Sequence, residues 1–192
     1  MRLGSLRAKI LITFGVVAIY ATGLSAQDWN PRFEAGAQFT ALDFRGTLGE
    51  KPGGFGGHFG YNLNRYLALE TEANYFPQNP DGDFGQTQFV AGVRAGYTFD
   101  DFGIYAKVRP GFVRFGGAAY RAYNGDNPTR PAMDIGAVLQ YFPRAGHVGI
   151  RLDWGDTLIS MPTQFFQTGS ASASSGGWKH NPQGEIGVVV RF

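Results

Sequence analysis

The sequence predicts an all-β protein: an eight-stranded antiparallel transmembrane up-and-down β-barrel, preceded by a cleavable signal peptide. Three observations predict this fold. Apolar and polar residues alternate with a period of two along residues 27–192, charged residues collect on one of the two resulting faces, and short turns alternate with long loops. Successive side chains of a strand point to opposite faces, so a barrel with a lipid-facing outside and a polar inside accounts for all three.

The first residues have the layout of a secretory signal peptide. A basic beginning without acidic residues is followed by an apolar run of 11 residues at 10–20, and then by small residues that end at Ala26. A transmembrane helix needs roughly 20 apolar residues, so the run is too short for an anchor. Cleavage after Ala26 divides the chain into a signal peptide, 1–26, and one barrel domain, 27–192. Cleavage after Gly23 is the competing possibility.

Composition narrows the possible functions. The chain has 192 residues, no cysteine and a formal net charge of +2, and part of its positive charge lies in the signal peptide. Disulfide and thiol chemistry are therefore excluded, and the nearly neutral mature chain gives no support to a nucleic-acid partner. No apolar stripe with helical spacing occurs in residues 27–192, which agrees with an all-β domain.

Eight alternating segments have about the length that tilted membrane strands require. They cover residues 32–42, 53–63, 66–76, 87–99, 102–115, 132–142, 147–159 and 183–192. Short turns lie at 64–65, 100–101 and 143–146, and long loops lie at 43–52, 77–86, 116–131 and 160–182. Turns at one end and loops at the other are typical of outer-membrane barrels, in which the turns are periplasmic and the loops extracellular.

The two faces of these strands differ in charge. The 40 positions assigned to the outward face include no charged residue, as expected of a surface in contact with lipid. Because an isolated ion in a low dielectric is costly, the charges of the opposite face must be paired or hydrated. Equal numbers of cations and anions predict a salt-bridged interior. The inward set is Arg32, Arg94, Lys107, Arg109, Arg151 and Arg191 with Glu34, Glu70, Glu72, Asp134, Asp153 and Glu185.

The last segment carries the plainest alternation. Its outward residues are Ile186, Val188, Val190 and Phe192, and its inward residues include both charges. Together with the Gly-rich segment 53–70, the segment 92–97 and the ending Val190-Arg191-Phe192, this strand resembles small OmpA/OmpX-like outer-membrane barrels of the outer membrane protein beta-barrel domain family. The resemblance covers residues 31–192. It does not include the peptidoglycan-binding domain of full-length OmpA.

The resemblance implies location in the bacterial outer membrane, contact with its lipid, and periplasmic chaperones and the barrel-assembly machinery as partners during biogenesis. It also implies that Ile186, Val188, Val190 and Phe192 form the assembly signal which that machinery reads. Loops 116–131 and 160–182 are candidate contacts for an extracellular ligand, since Tyr120, Arg121 and Tyr123 lie in the first of them.

Three functions stay open at this point: a structural or surface-interaction role, a narrow passive pore, and a lipid-modifying enzyme. We expect no catalytic residues, because every serine after the signal peptide lies in the last long loop and no nucleophile matches His58, His147 or His180. We expect no cofactor and no metal site. Asp153 and Asp156 could bind a cation, but pairing with Arg151 or Arg109 is the favoured interpretation.

Overall fold

The structure is a computed structural model and describes residues 31–43, 53–77, 85–99, 101–116, 128–161 and 176–192. The predicted signal peptide and its cleavage sites lie outside the described residues. No helix in the described ranges is long and apolar enough to cross a membrane.

The described chain forms one closed antiparallel barrel with eight strand positions. The strands are β1 Phe33–Leu42, β2 Gly53–Asn62, β3 Leu67–Phe76, β4 Gln86–Thr98, β5 Phe102–Phe115, β6 Thr129–Tyr141, β7 Val148–Met161, β8 Gly177–Lys179 and β9 Pro182–Arg191. Neighbours in the chain pair from β1 to β7, β7 pairs with β9, and β9 pairs with β1. The predicted fold class is confirmed, and the pairing of β9 with β1 closes the barrel.

Strands β8 and β9 follow one another in a single strand position of the barrel. β8 pairs only with β7, through Ile159↔Lys179, and β9 continues on the same neighbour from Asp156↔Pro182. The backbone N–H of Thr157 donates to the carbonyl of Asn181 between them, at 2.9 Å. The predicted loop 160–182 is therefore too long at both ends, because the β7–β8 hairpin continues past the predicted strand boundaries.

The turns lie at one end of the barrel, as predicted. Asn64 accepts hydrogen bonds through its side-chain oxygen from the backbone N–H groups of Tyr66, at 2.8 Å, and Leu67, at 3.0 Å, which is the usual role of asparagine in tight turns. Pro143–Ala145 forms a short 3-10 turn in which Arg144 has a positive φ of 53°. The strand ends beside the long connections lie at the opposite end.

The outer surface is apolar and carries aromatic rings at two heights. Rings meet near the turns in Phe102–Tyr141, with centroids 4.6 Å apart, and near the loops in Phe89–Phe112, at 5.8 Å. Phe102 and Phe112 are ten residues apart on β5, which is about 34 Å along the strand and about 26 Å along the membrane normal at a tilt of about 40°. This matches the apolar band of outer-membrane barrels, about 25 Å tall.

Candidate functional site

The barrel interior holds most of the residues singled out from the sequence. Arg32 is the exception: its side chain is exposed, and it precedes β1, which begins at Phe33. The predicted inward position of Arg32 is therefore wrong. The buried members of the set are Arg94, Lys107, Arg109, Arg151 and Arg191 with Glu34, Glu70, Glu72, Asp134, Asp153 and Glu185.

Arg109 on β5 lies at the centre of these charges. Its guanidinium contacts Glu72 at 2.7 Å and donates from Nε to Asp134 at 2.7 Å. It also contacts Glu70 and, at 3.5 Å, Asp153. A planar guanidinium with five donors suits a position among several carboxylates, and charge-assisted hydrogen bonds of this length are strong.

A second group of contacts extends toward the turns. Arg151 binds Glu70 through both of its terminal nitrogens, each at 2.7 Å, in the bidentate geometry that arginine favours. Arg94 contacts the same Glu70 at 3.4 Å and Glu34 at 2.8 Å. Pairing thus runs continuously between β1, β3, β4 and β7, that is, across the lumen and not only between adjacent strands.

Three buried carboxylates lie close enough to hold a metal ion: Glu70, Glu72 and Asp153 have oxygens within 4.8 Å of one another. The protein's own cations face them. Asp153 contacts Lys107 and, at 2.9 Å, Arg151, while Arg109 faces the other two. The geometry therefore fits neutralisation of these three carboxylates by lysine and arginine side chains of the protein itself.

Glu185 departs from the expected pairing of six cations with six anions. Its carboxylate accepts hydrogen bonds from three side-chain amides: Gln38 at 2.8 Å, Asn74 at 2.9 Å and Gln183 at 2.5 Å. Gln88 and Thr157 continue this group, since the amide of Gln88 donates to Thr157 at 3.1 Å. We call these six residues the amide layer. It lies between the charged cluster and the loop end of the barrel.

An apolar cluster lies in the interior above the amide layer. Its members are side chains that point inward where the strands reach the loops, and all are buried. We call it the apolar cap: Leu42, Phe76, Val113, Phe115, Ala132, Ile159 and Met161.

Two cation–aromatic contacts fill the interior at the turn end. The Arg94 guanidinium lies over the Tyr105 ring at 4.3 Å, and Arg191 lies over the Phe142 ring at 3.8 Å. Arg191 also donates from Nε to the carbonyl of Gly146 at 3.0 Å. Such stacking is favourable when the cation is desolvated, so each arginine is held by a ring as well as by polar groups.

The four residues of the predicted assembly signal lie on the outside of β9. Ile186, Val188 and Phe192 are exposed, and Val190 is half-buried. Phe192 lies beside Phe33, with ring centroids 6.0 Å apart.

The histidines are distributed among three environments. His58 is buried, and its Nδ1 lies 2.7 Å from the side-chain oxygen of Gln38. His147 contacts the carbonyl of Arg191 at 3.0 Å. His180 is exposed and pairs through Nδ1 with Asp156 on the outer face near the loops. Asp156 therefore pairs with His180 in the described structure, and not with Arg151 or Arg109 as predicted.

Sequence reasoning missed the amide layer, the apolar cap and the outward residues beyond the aromatic rings. The signal was present in the alternation itself. The predicted outward faces of β5 and β7 end at Phe112 and Trp154, whereas in the structure the same alternation continues outward to Arg114 and Asp156. The pattern of charged residues also does not reveal the neutral inward residues, whose polarity changes from one height of the barrel to the next.

Comparison with known proteins agrees with this architecture. A family model described as outer membrane protein beta-barrel domain matches residues 12–192. The chain belongs to this family. It is therefore an integral β-barrel protein of the bacterial outer membrane. No curated protein sequence matches it closely enough to count as a relative.

Several solved barrels are similar to this chain at low identity. Neisserial surface protein A is 16% identical, with a TM-score of 0.51 and coverage of 83% of this chain and 96% of that one. The N-terminal β-barrel domain of Pseudomonas aeruginosa OprF is 13% identical, with a TM-score of 0.48 and coverage of 85% and 100%. Ail, the attachment invasion locus protein of Yersinia pestis, solved in complex with the heparin analogue sucrose octasulfate, is 16% identical, with a TM-score of 0.45 and coverage of 83% and 96%. These likenesses concern the fold alone.

Proposed function

We propose that this family member is a non-conducting outer-membrane barrel with a structural or surface-interaction role, and that its lumen is filled by its own side chains. The observation that carries the proposal is the change of polarity along the lumen. The apolar cap, the amide layer, the charged cluster and the cation–aromatic contacts follow one another from the loop end to the turn end. An eight-stranded barrel is barely wide enough for side chains to fill.

A narrow passive pore is the first alternative. Ions would have to pass the apolar cap and then the Arg109 cluster. Gln86 also points inward at the height of the cap, between Phe76 and Phe115 in the register, but the side chains of the cap itself are apolar, and bringing an ion against apolar side chains is costly. The Arg109 cluster is bonded to carboxylates on β3, β6 and β7. The arrangement supports a stabilising role for the interior charges more than a conducting one.

Single-channel recording in a planar bilayer tests this function. We expect the purified protein to insert without stepwise conductance, while a known porin added to the same bilayer produces steps. Reproducible steps from the wild-type protein, scaling with the amount inserted, would show that the lumen conducts and that the first alternative is correct.

A lipid-modifying enzyme is the second alternative. One feature bears on it: Asp156 and His180 form a pair on the outer face, and Ser160, which pairs with Trp178 on β8, lies close to them in the register. No hydrogen bond joins Ser160 to His180 in this part of the structure, so the serine lacks the contact with a base that would activate it. This arrangement supports a non-enzymatic role.

The proposed partners follow from the family and from the placement of residues. Lipid covers the apolar outer face, periplasmic chaperones and the barrel-assembly machinery act during biogenesis, and loops 116–131 and 160–182 are the candidate contacts for an extracellular ligand. The middle of each loop, 117–127 and 162–175, lies outside the described residues. The outward row along β9, which ends at Phe192 directly after the strand, supports an assembly signal made of Ile186, Val188, Val190 and Phe192. We propose no cofactor and no nucleic-acid partner.

A further inference from the structure

Arg114 interrupts the otherwise uncharged outer face of β5. It follows Phe112 on the same side of the strand, and it is exposed. The register places it opposite Thr87 on β4, and Thr87 lies opposite Tyr75 on β3. These three side chains therefore form a row across three neighbouring strands on the outer surface.

The row borders a pocket of 280 Å³. Tyr75, Thr87, Arg114 and Phe115 line it, together with Gly85 and Gly116. No acidic residue is among these lining residues. In the described structure the guanidinium of Arg114 and the hydroxyls of Tyr75 and Thr87 have no hydrogen-bond or ion-pair partner. One cation and two hydroxyl groups, all able to donate, thus face a single space.

The height of the pocket along the membrane normal decides which part of the membrane surrounds it. Phe112 and its partner Phe89 mark the loop-side aromatic belt, and Arg114 lies two residues further along β5. Two residues advance about 7 Å along a strand, or about 5 Å along the membrane normal at a tilt of about 40°. The pocket therefore lies just outside the hydrocarbon core of the membrane, at the level of the headgroups.

We propose that this pocket binds a phosphoryl group on a lipid headgroup of the outer leaflet. An arginine guanidinium matches a phosphoryl group in geometry and in charge, and the two hydroxyls add donors on the same side. The lipid source is favoured over a free anion because Tyr75, Thr87 and Arg114 lie on the outward face of their strands, at the height of the headgroups and directly above the apolar surface. The acyl chains of such a lipid would lie against the apolar face below. The inference rests on membrane placement alone and is independent of whether the lumen conducts.

Binding of defined lipids to the purified protein, measured by native mass spectrometry from detergent, tests the proposal. The probes are lipid A, dephosphorylated lipid A with the same acyl chains, and inorganic phosphate. We expect lipid A to bind best and Arg114→Gln to weaken it by about tenfold, as expected for the loss of a hydrogen bond to a charged group. Thr87→Ala and Tyr75→Phe should each weaken it less. Unboiled gel mobility establishes that each variant is folded.

Arg65→Gln is the matched control, because Arg65 is an exposed arginine at the opposite, turn end of the barrel. It should leave lipid A binding unchanged. Equal binding of lipid A by wild type and Arg114→Gln would overturn the proposal. So would equal binding of the phosphorylated and dephosphorylated lipids. If inorganic phosphate displaced lipid A at equal concentration, the site would be one for a free anion, and the lipid assignment would be wrong.

Discussion

Phe33 and Phe192 join the first and last strands of the barrel. The backbone N–H of Phe33 donates to the carbonyl of Phe192 at 2.9 Å, the N–H of Phe192 donates back at 2.8 Å, and the two rings are stacked with an interplanar angle of 26°. This reciprocal pair is the turn-end closure of β1 on β9. Phe192, which is expected to be read during assembly, is thus also part of the contact between the last and the first strand.

Removal of the Phe192 ring distinguishes an effect on assembly in cells from an effect on the stability of the folded barrel. Replacing Phe192 with Ala removes the ring but keeps both backbone bonds, so the contact between the last and the first strand can still form. If the ring is part of the assembly signal, the variant should accumulate in the outer membrane at a clearly lower level than wild type, as measured by heat-dependent mobility on a denaturing gel. Refolding from urea into detergent should reach nearly the same yield.

Phe102→Ala is the control for that experiment, since Phe102 is also an exposed ring of the turn-side belt. It should cost a similar amount of interfacial contact without lowering assembly in cells. Equal accumulation of both variants would contradict the role of Phe192 as a signal, although the barrel fold would be unaffected.

Arg109 should contribute more to stability than any exposed arginine. Arg109→Ala leaves Glu70, Glu72, Asp134 and Asp153 without their shared cation, and breaking a buried pair in this way costs about 3 kcal/mol. Equilibrium unfolding in urea in the presence of lipid measures the free energy. The control Arg65→Ala should change it by less than about 0.5 kcal/mol.

A second substitution tests whether the cause is unpaired negative charge. Glu72→Gln in the Arg109→Ala background removes one of the stranded carboxylates and should recover part of the loss, because coupled neighbours are not additive. Strict additivity of the two changes would mean that Arg109 stabilises the barrel through packing and not through its charge.

Gly103 provides a packing test at the turn end. A Cβ at this position would lie 2.6 Å from the hydroxyl of Tyr105 and equally close to its ring, so Gly103→Ala should lower stability by about 1–3 kcal/mol through overpacking. Tyr105 is itself held by the Arg94 guanidinium and by Thr98, whose hydroxyl lies 2.6 Å from that of Tyr105.

The double variant Gly103→Ala with Tyr105→Ala should be less destabilised than the sum of the two single variants, since the clash disappears with the ring. A double-mutant cycle of unfolding free energies measures this coupling. A Gly103→Ala variant as stable as wild type would show that the Tyr105 ring can move aside, and that the turn end is less tightly packed than the distances indicate.

Much of the architecture could be predicted because a strand has a side-chain period of two. That period separates Val188 from Val189 and Arg109 from Pro110 without any knowledge of the neighbouring strands. Strand ends were predicted less well. β6 begins at Thr129 and β7 continues to Met161, beyond the predicted limits, because a strand ends where its neighbours stop pairing, and the chain's own pattern does not record that point.

The interior pairing could not be predicted from the sequence for the same reason. The partners Arg94 and Glu34 are 60 residues apart in the chain, and Gln38 and Glu185 are 147 apart. Opposite walls of a barrel meet only after closure, and the stagger between strands decides which heights face each other. Glu185 thus meets amides, although the equal count of charges had predicted a cation.

The sequence by itself determined which residues of the strands face lipid and which face the lumen, and how many strands form the barrel. It also determined that turns and loops lie at opposite ends. All of these follow from local alternation and spacing. Only the tertiary structure decided the order of layers inside, the exclusion of Arg32 from them, and the row of Tyr75, Thr87 and Arg114 outside. The physical reason is that the side of the sheet to which a residue points depends only on its position along its own strand. Which side chains contact one another depends on the register between strands that are far apart in the chain.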